Sequence, residues 1–382
     1  SLKVLSNSFI ESMYSKILFN PKLPVRHRLK NLVAYFFVKR GARLAWKDMF
    51  GRFYRTSPEN FRPAAPGMEK KHAAYWSCFS RKVNLSTYRV CRNISGVDDM
   101  RYIPEEIYIA DIESTLNRDV TIDYLSNKSI ANHWFPEGIF PQDYFHNIDG
   151  EYLDASLNPI SFAEMESISG SLNYPVVIKP NRDSYGGKDV FFPRDPEELL
   201  GHAKSMKNFV VQERIRQHEF FDKYNRHGLN TLRVVLYRSV KDNLLHVINI
   251  SMRMGIGGGL DNLSSGGILT FIRKDGTMNG FALNKFGLKY TEHPDSHLKF
   301  TEKIPDIDKL IELAKRVTHK IFYARIVSLD ACYDANSTWR LVEANVLGQH
   351  TIKFAQNAGQ PFFGEFTDEV VEYCKYHHWA LR

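Results

Sequence analysis

Asp330, Glu343 and Asn345 carry the clearest chemistry in this chain. Asp330 lies in the β-prone run Ile326-Val327-Ser328-Leu329-Asp330-Ala331-Cys332-Tyr333. Turn residues 334–337 separate that run from Thr338-Trp339-Arg340-Leu341-Val342-Glu343-Ala344-Asn345-Val346. Two β-prone runs around such a turn make a hairpin. Glu343 and Asn345 are two apart and leave the same face of their strand, and a turn centred near 335–336 sets Asp330 almost opposite them. Three oxygen donors on one rigid patch suit Mg²⁺, a hard cation that takes a few protein oxygens and completes its shell with water and phosphate. The alternative is the ordinary polar face of a sheet. Leu329, Val342 and Val346 around the patch indicate a half-buried hairpin and favour the metal.

A second group follows Pro175-Val176-Val177-Ile178-Lys179-Pro180. Lys179, at the end of a buried type of strand, has its ammonium fixed in place. In the loop behind it, Gly186, Gly187 and Lys188 are candidate phosphate contacts, because adjacent glycines let backbone N–H groups approach phosphate oxygens. Many turns contain Gly-Gly, so this signal is weak alone. A third segment, Gln212-Glu213-Arg214-Ile215, leaves an apolar strand and is able to offer backbone hydrogen bonds to adenine. Val211 and Ile215 would then flank the base and Glu219 would reach ribose hydroxyls; by itself the segment reads equally as a plain strand end. His350, just after the metal-bearing strand, is a candidate substrate contact, and the other histidines lack metal-like spacing.

Strands must position these groups. Beyond the runs above, strands are expected at 190–192, 209–213, 231–238, 245–253, 267–273, 325–333 and 338–345, and helices at about 196–206 and 307–322. Residues 1 to about 95 read as helical and aromatic-rich, 107–110 as a short strand, and 127–135 as a helix stopped near 136–138. The fold class expected is α+β. Four parts are expected: a helical basic region 1–105, a linker segment 106–173, a small lobe 174–218, and a large lobe 219–382 with the metal site.

With 43% hydrophobic and 25% charged residues among 382, the chain is globular, long enough for two or three packed lobes, and neither disordered nor fibrous. No uninterrupted apolar run approaches a membrane span, and the N-terminus shows no signal-peptide pattern. Cys78, Cys91, Cys332 and Cys374 are scattered, so a reducing cytoplasm is expected rather than a disulfide or zinc framework. The net charge of +8 favours anionic partners. Much of it lies in Lys22, Arg26, Arg28, Lys30, Lys39, Arg40, Arg43, Lys47, Arg52 and Arg55, opposed there only by Asp48. Leu29, Leu32, Val33, Tyr35, Phe36, Phe37, Leu44, Trp46 and Phe50 are interleaved with them. One or two amphipathic helices, broken near Gly41, are expected. The preferred reading is a solvated face on helices packed against the core. The sharper alternative is an interfacial segment over residues 22–55, docking on anionic lipid at the inner face of a membrane or on an anionic glycan. No motif supports nucleic acid as a partner.

Taken in order, these features resemble the ATP-grasp superfamily, which includes D-alanine–D-alanine ligases and other carboxylate–amine ligases. The order is Lys128 in a helix, strand–Lys179–Pro180, the glycine loop, the Gln212-Glu213 hinge, then Asp330 and Glu343-Ala344-Asn345, covering about residues 120–370. The resemblance implies an ATP-grasp fold, two α+β lobes clasping ATP, with ATP and Mg²⁺ as cofactors. It assigns Lys128 and Lys179 to the ATP phosphates, Gln212 to the hinge, Glu219 to the ribose, and Asp330, Glu343 and Asn345 to the metal. Gln212 replaces the usual hinge acid, and Arg216-Gln217-His218 lacks the glycine often found before the ribose acid. Residues 230–235, 252–255 and 260–268 look like the sugar-transfer-associated branch, which is associated with bacterial surface-polysaccharide biosynthesis. That likeness implies that Arg233 and Arg253 bind phosphate or a substrate carboxylate, with a structural salt bridge as the alternative for each. It also implies a loop of Asn262, Ser265, Gly266 and Gly267 over the reaction centre. The implied activity is amide formation between a carboxylate, such as a uronic acid on a glycan, and an amine or amino acid. A kinase acting on a hydroxyl and a non-enzymatic basic adaptor are the alternatives.

Overall fold

The computed structural model describes residues 12–135, 138–182, 189–258 and 266–382. An N-terminal layer holds helices α1 (Met13–Leu18), α2 (Val25–Thr56), α3 (Pro66–Trp76) and α4 (Ser86–Ser95). α2 runs through Gly41 without the expected break. Its inward stripe places Tyr35, Lys39, Ala42, Trp46, Phe50 and Phe53 three or four residues apart. Packing along that stripe outweighs a glycine whose helix penalty is about 1 kcal/mol. A buried ion group adds to the anchor. Asp111 accepts hydrogen bonds from Lys39 Nζ and Tyr35 Oη, both at 2.6 Å, and lies 3.2 Å from His378 Nε2.

Ile107-Tyr108-Ile109-Ala110 is helical, not the expected strand. Glu105–Ile107 and Ser114–Leu116 flank a π-helical turn, Tyr108–Glu113. Ile107, Tyr108, Ala110 and Ile112 are all fully buried. An apolar run buried on every side has no period that separates strand from helix.

Two antiparallel sheets follow. The smaller has the order β2-β1-β4-β3, from β1 (Asp143–Ile148), β2 (Glu151–Asp154), β3 (Val176–Pro180) and β4 (Phe209–Glu213). One face packs on α5 (Phe162–Ser171) and α6 (Pro196–Ser205) through Phe145, Met165, Ile178, Leu199 and Val211. Two strands and a helix of this lobe come from residues 106–173, the segment expected as linker and pre-grasp region. Of residues 190–192, only Phe191 pairs, in an isolated bridge to Ile178.

The larger sheet has the order β11-β10-β5-β6-β7-β8-β9. Its strands are β5 (Thr231–Arg238), β6 (Leu245–Met254), β7 (Ile268–Ile272), β8 (Met278–Leu283), β9 (Lys289–Tyr290), β10 (Ile326–Tyr333) and β11 (Trp339–Asn345). Leu232, Val234, Met252, Leu329 and Leu341 close one face with α7 (Ile307–His319), through Leu310, Leu313 and Val317. On the other face Val235, Tyr237 and Ile326 join the N-terminal layer and α8 (Thr367–His377). The sequence reading missed β8, β9 and α8; β9 is two residues long and carries no pattern of its own.

Candidate functional site

Strand register lines up the charged residues. Glu343 pairs with Asp330, Asp330 with Arg233, and Arg233 with Ser251, one row across β11, β10, β5 and β6. Directly paired residues share a face, so this row leaves the sheet on the side away from α7. Asn345 lies opposite Ser328, one step further along the same face. The hairpin therefore gathers Asp330, Glu343 and Asn345.

Asp330 is held from two sides. Arg233 Nε and Nη2 donate to its carboxylate at 2.5 and 2.6 Å, and Arg253 Nη2 donates at 2.9 Å while also reaching Thr231 Oγ1 at 2.8 Å. Burial pushes the Asp330 carboxyl up, but the guanidinium groups of Arg233 and Arg253 outweigh it and hold the carboxyl below the usual aspartate range. Both arginines thus form ion pairs with Asp330. Among the described residues Oδ1 accepts from Arg233 alone, which leaves that oxygen a lone pair for a further partner.

Glu343 faces the other lobe. Its Oε1 lies 3.0 Å from Lys128 Nζ. Lys128 opens the short turn Lys128–Ile130, and its backbone N–H donates to the Asn181 carbonyl at 2.8 Å. Asn127 caps that turn by accepting from Ser129 N–H, and Asn181 Nδ2 donates to Ser129 Oγ at 3.1 Å. Lys128 is thereby mounted on the end of β3, beside Lys179. Burial first, and the Lys128 ammonium second, press the Lys179 ammonium down to about 8, against the attraction of Glu343 and Asp143. Two ammonium groups facing one carboxylate make a concavity suited to a polyanion.

Lys179, Val210 and Gln212 share the inner face of the small sheet. A register shift between Asp143 and Phe145 turns Asp143 and His146 to that face as well, although they are three apart. Neither had a sequence signal, because only the bulge brings them together. Gln212 Nε2 donates to Asp143 Oδ1 at 2.7 Å. Gln212 Oε1, Asp143 Oδ2 and both nitrogens of His146 are buried without a hydrogen-bond partner among the described residues. Buried polar atoms are normally satisfied, so these mark a place that a polar ligand or water completes. A cleft lined by Leu125, Lys128, Phe135, Phe140, Gln212 and Glu343 opens between the lobes.

Other candidates are placed differently from expectation. Val211 does not flank this cleft; strand alternation sends it into the lobe core with Phe145 and Ile178, and Val210 takes the inner position. The Glu213 carboxylate accepts from Arg340 Nη2 at 2.5 Å and from Gln142 N–H at 2.9 Å, so it ties β4 to β11. Ile215 is half-buried beyond the strand end, and Glu219 is exposed on the short helix Glu219–Asp222. Gly266, at φ 102°, and Gly267 lead into β7. His350 is half-buried, its ring edge-on to Trp46 of α2 at 5.5 Å. Gly186, Gly187, Lys188, Asn262 and Ser265 lie outside the described residues.

The donor set fits a magnesium nucleotide. Among the described residues no three His, Cys, Asp or Glu side chains group as a metal site. Glu343, Asn345 and the remaining lone pair of Asp330 are instead a sparse oxygen set, which suits a cation that keeps phosphate and water ligands. Asn345 Nδ2 is buried and makes no hydrogen bond among the described residues.

A family model described as sugar-transfer associated ATP-grasp matches residues 110–361, which include both sheets and every described site residue above. Similar solved structures include purK, N5-carboxyaminoimidazole ribonucleotide synthetase, in an ADP complex (12% identity, 59% of this chain and 45% of that one, TM-score 0.37). An N5-carboxyaminoimidazole synthetase from Staphylococcus aureus is 8% identical over 65% of this chain and 51% of its own, with a TM-score of 0.38. An L-amino acid ligase from Bacillus licheniformis is 14% identical over 59% and 41%, with a TM-score of 0.35. The chain spans about half the length of these structures. No match is found among curated proteins.

Proposed function

Because this chain belongs to the sugar-transfer-associated ATP-grasp family, we propose that it is an ATP-dependent ligase joining a carboxylate to an amine. The observation that carries this reading is the meeting of Lys128 and Lys179 with the Glu343–Asp330–Arg233 row between the two sheets. In this reading the triphosphate lies along Lys128 and Lys179, where phosphate charge offsets both the burial that chiefly depresses the Lys179 ammonium and the lesser repulsion from Lys128. The base lies against the inner face of β4 with its amino group offered to Gln212 Oε1, and Glu219 serves the ribose. Glu343 and Asn345, with Asp330, would hold Mg²⁺, which supplies charge neutralisation between the β- and γ-phosphates.

The proposed reaction has two steps. A carboxylate oxygen attacks the γ-phosphorus while the bond to the bridging oxygen breaks, and ADP leaves. The amine nitrogen attacks the carbonyl carbon of the acyl phosphate, phosphate departs with the former carboxylate oxygen, and the nitrogen loses its proton. Arg233 and Arg253, fixed by Asp330, present positive charge to the substrate carboxylate and departing phosphate. Positioning and electrostatics do this work, so no nucleophilic side chain is needed. Gly186, Gly187 and Lys188 are proposed as the phosphate loop, Asn262, Ser265, Gly266 and Gly267 as a loop over the reaction centre, and His350 as a substrate contact. The proposed acid is a uronic acid on a glycan and the proposed amine an amino acid, in surface-polysaccharide synthesis, a choice in keeping with the sugar-transfer association of the family. The proposed setting is the cytoplasm, at the inner face of a membrane.

The test is ATP consumption by purified protein with Mg²⁺, a panel of uronic and amino acids, and hydroxylamine as trap. Hydroxamate that depends on one acid supports the ligase and names its substrate. ATP consumed with a stable phosphate ester and no hydroxamate indicates a kinase, and failure to bind ATP overturns both.

A further inference from the structure

Helix α2 is apolar on two sides. Its inner stripe is buried, as described, and tied down by the Lys39–Asp111 pair. A second set, Val25, Leu29, Val33, Phe36, Phe37 and Leu44, stands outward; Phe37 is 63% exposed, Leu44 55%, Leu29 50% and Phe36 49%. At 3.6 residues per turn these side chains share one broad face, about 30 Å long. Arg26, Lys30, Arg40 and Lys47 lie on the same face, all exposed. The one acid on this helix, Asp48, is engaged by Arg52 at 2.7 Å. Half-exposed phenylalanine and leucine in a contiguous stripe are not needed for the fold, because the opposite stripe already supplies its packing.

We propose that the outer face of α2 is a docking surface for an anionic phospholipid bilayer, with the helix lying flat on it. Phe36, Phe37, Leu29, Val33 and Leu44 enter the boundary between headgroups and acyl chains. Arg26, Lys30, Arg40 and Lys47 extend along the same level, with their charged ends at the lipid phosphates. Charge complementarity selects this occupant. A polyanion without an apolar layer, such as an acidic glycan, would satisfy the basic residues and leave Leu29, Val33 and Leu44 in water. A neutral apolar partner would leave four cations unmatched. None of the described helices is long and apolar enough to cross a membrane, so the attachment is to a surface. The docking does not depend on the ligase reading, because none of its residues belongs to the inter-lobe site.

The test is flotation of the full chain with vesicles of phosphatidylcholine alone and of phosphatidylcholine with phosphatidylglycerol, at low and high salt, without ATP. The expected result is binding to the phosphatidylglycerol vesicles that falls with salt. The double variant Phe36→Gln/Phe37→Gln should bind at least about tenfold more weakly. Replacing Arg26, Lys30 and Arg40 by Gln should weaken binding about fivefold for each charge removed. Both variants should melt as the parent does, since every altered residue is exposed. Absence of wild-type binding at low salt overturns the proposal. So does binding that is indifferent to Phe36→Gln/Phe37→Gln, which would be adsorption by charge alone. A dimer in light scattering that the same substitutions dissociate would assign the face to a second copy of the chain, and also overturns it.

Discussion

Lys128 Nζ and Glu343 Oε1 stand 3.0 Å apart, joining the segment mounted on the end of β3 to the edge strand of the large sheet. The pair spans the cleft in which both residues are proposed to serve a nucleotide, Lys128 at phosphate and Glu343 at the metal. Each thus acts as the other's counter-ion where phosphate and a cation would take over, and the contact would be exchanged on binding.

Glu343→Gln removes the charge while preserving shape. Turnover of ATP should fall by about a hundredfold or more. Thermal stability should fall by less than for Asp330→Asn, because the Glu343 side chain is 27% exposed and that of Asp330 only 3%. Steady-state ATP consumption and a melting curve check both halves, and near-normal turnover would remove Glu343 from the proposed metal set.

Asp330→Asn should behave differently. It strands Arg233 and Arg253 beside a neutral amide in a largely buried site. The expected cost is about 3 kcal/mol of stability, seen in urea unfolding, in addition to loss of activity. If Asp330→Asn unfolds at the same urea concentration as the parent, the ion cluster is not the anchor its geometry indicates.

Lys179 links stability to pH. Its folded value of about 8 lies below the ordinary 10.5. Below pH 8 both folded and unfolded chains carry the charge, and the folded one bears the full penalty of burying it. Between the two values the unfolded chain binds more protons, so stability rises with pH. Lys179→Met should therefore stabilise the protein at pH 7 by about 2 kcal/mol while abolishing ATP binding. Paired measurements of unfolding and nucleotide binding test this, and a destabilised variant would contradict it.

Glu113 has the opposite sign. Burial raises its carboxyl to about 7, against the Gln349 and Gly348 N–H groups that favour the anion. Between the ordinary 4.5 and 7 the folded chain holds the extra proton, so stability falls as pH rises through that window. Glu113→Gln, able to keep accepting from Gln349 N–H, should remove that slope and be the more stable protein at pH 8. Urea unfolding across this pH range gives the answer; an unchanged slope would place the titration elsewhere.

Gly41 lies mid-helix on the exposed side of α2, and a Cβ built there meets nothing within 4 Å. Gly41→Ala should raise stability by about 0.5–1 kcal/mol without altering ATP turnover. A loss of stability would show that the helix needs the glycine.

The β5–β7 and β10–β11 strands, the helix at 307–319 and the hairpin that carries Asp330, Glu343 and Asn345 were legible in the amino-acid sequence. Alternation of period two, turn residues and helical spacing are local, so a single chain segment states them. The order of Lys128, Lys179, Gln212 and the late acidic strand likewise suggested the family before any contact was known. Tertiary structure alone decided which of two apolar sides of α2 is buried, since both sides satisfy the same helical period. It decided that residues 107–110 are helical, because burial on nearly every side erases the strand–helix distinction. It also turned Asp143 and His146 toward Gln212 through a bulge, and closed Arg233 and Arg253 on Asp330 across three strands. Each of these depends on which segments lie against one another in space, and spacing along the chain carries no record of that.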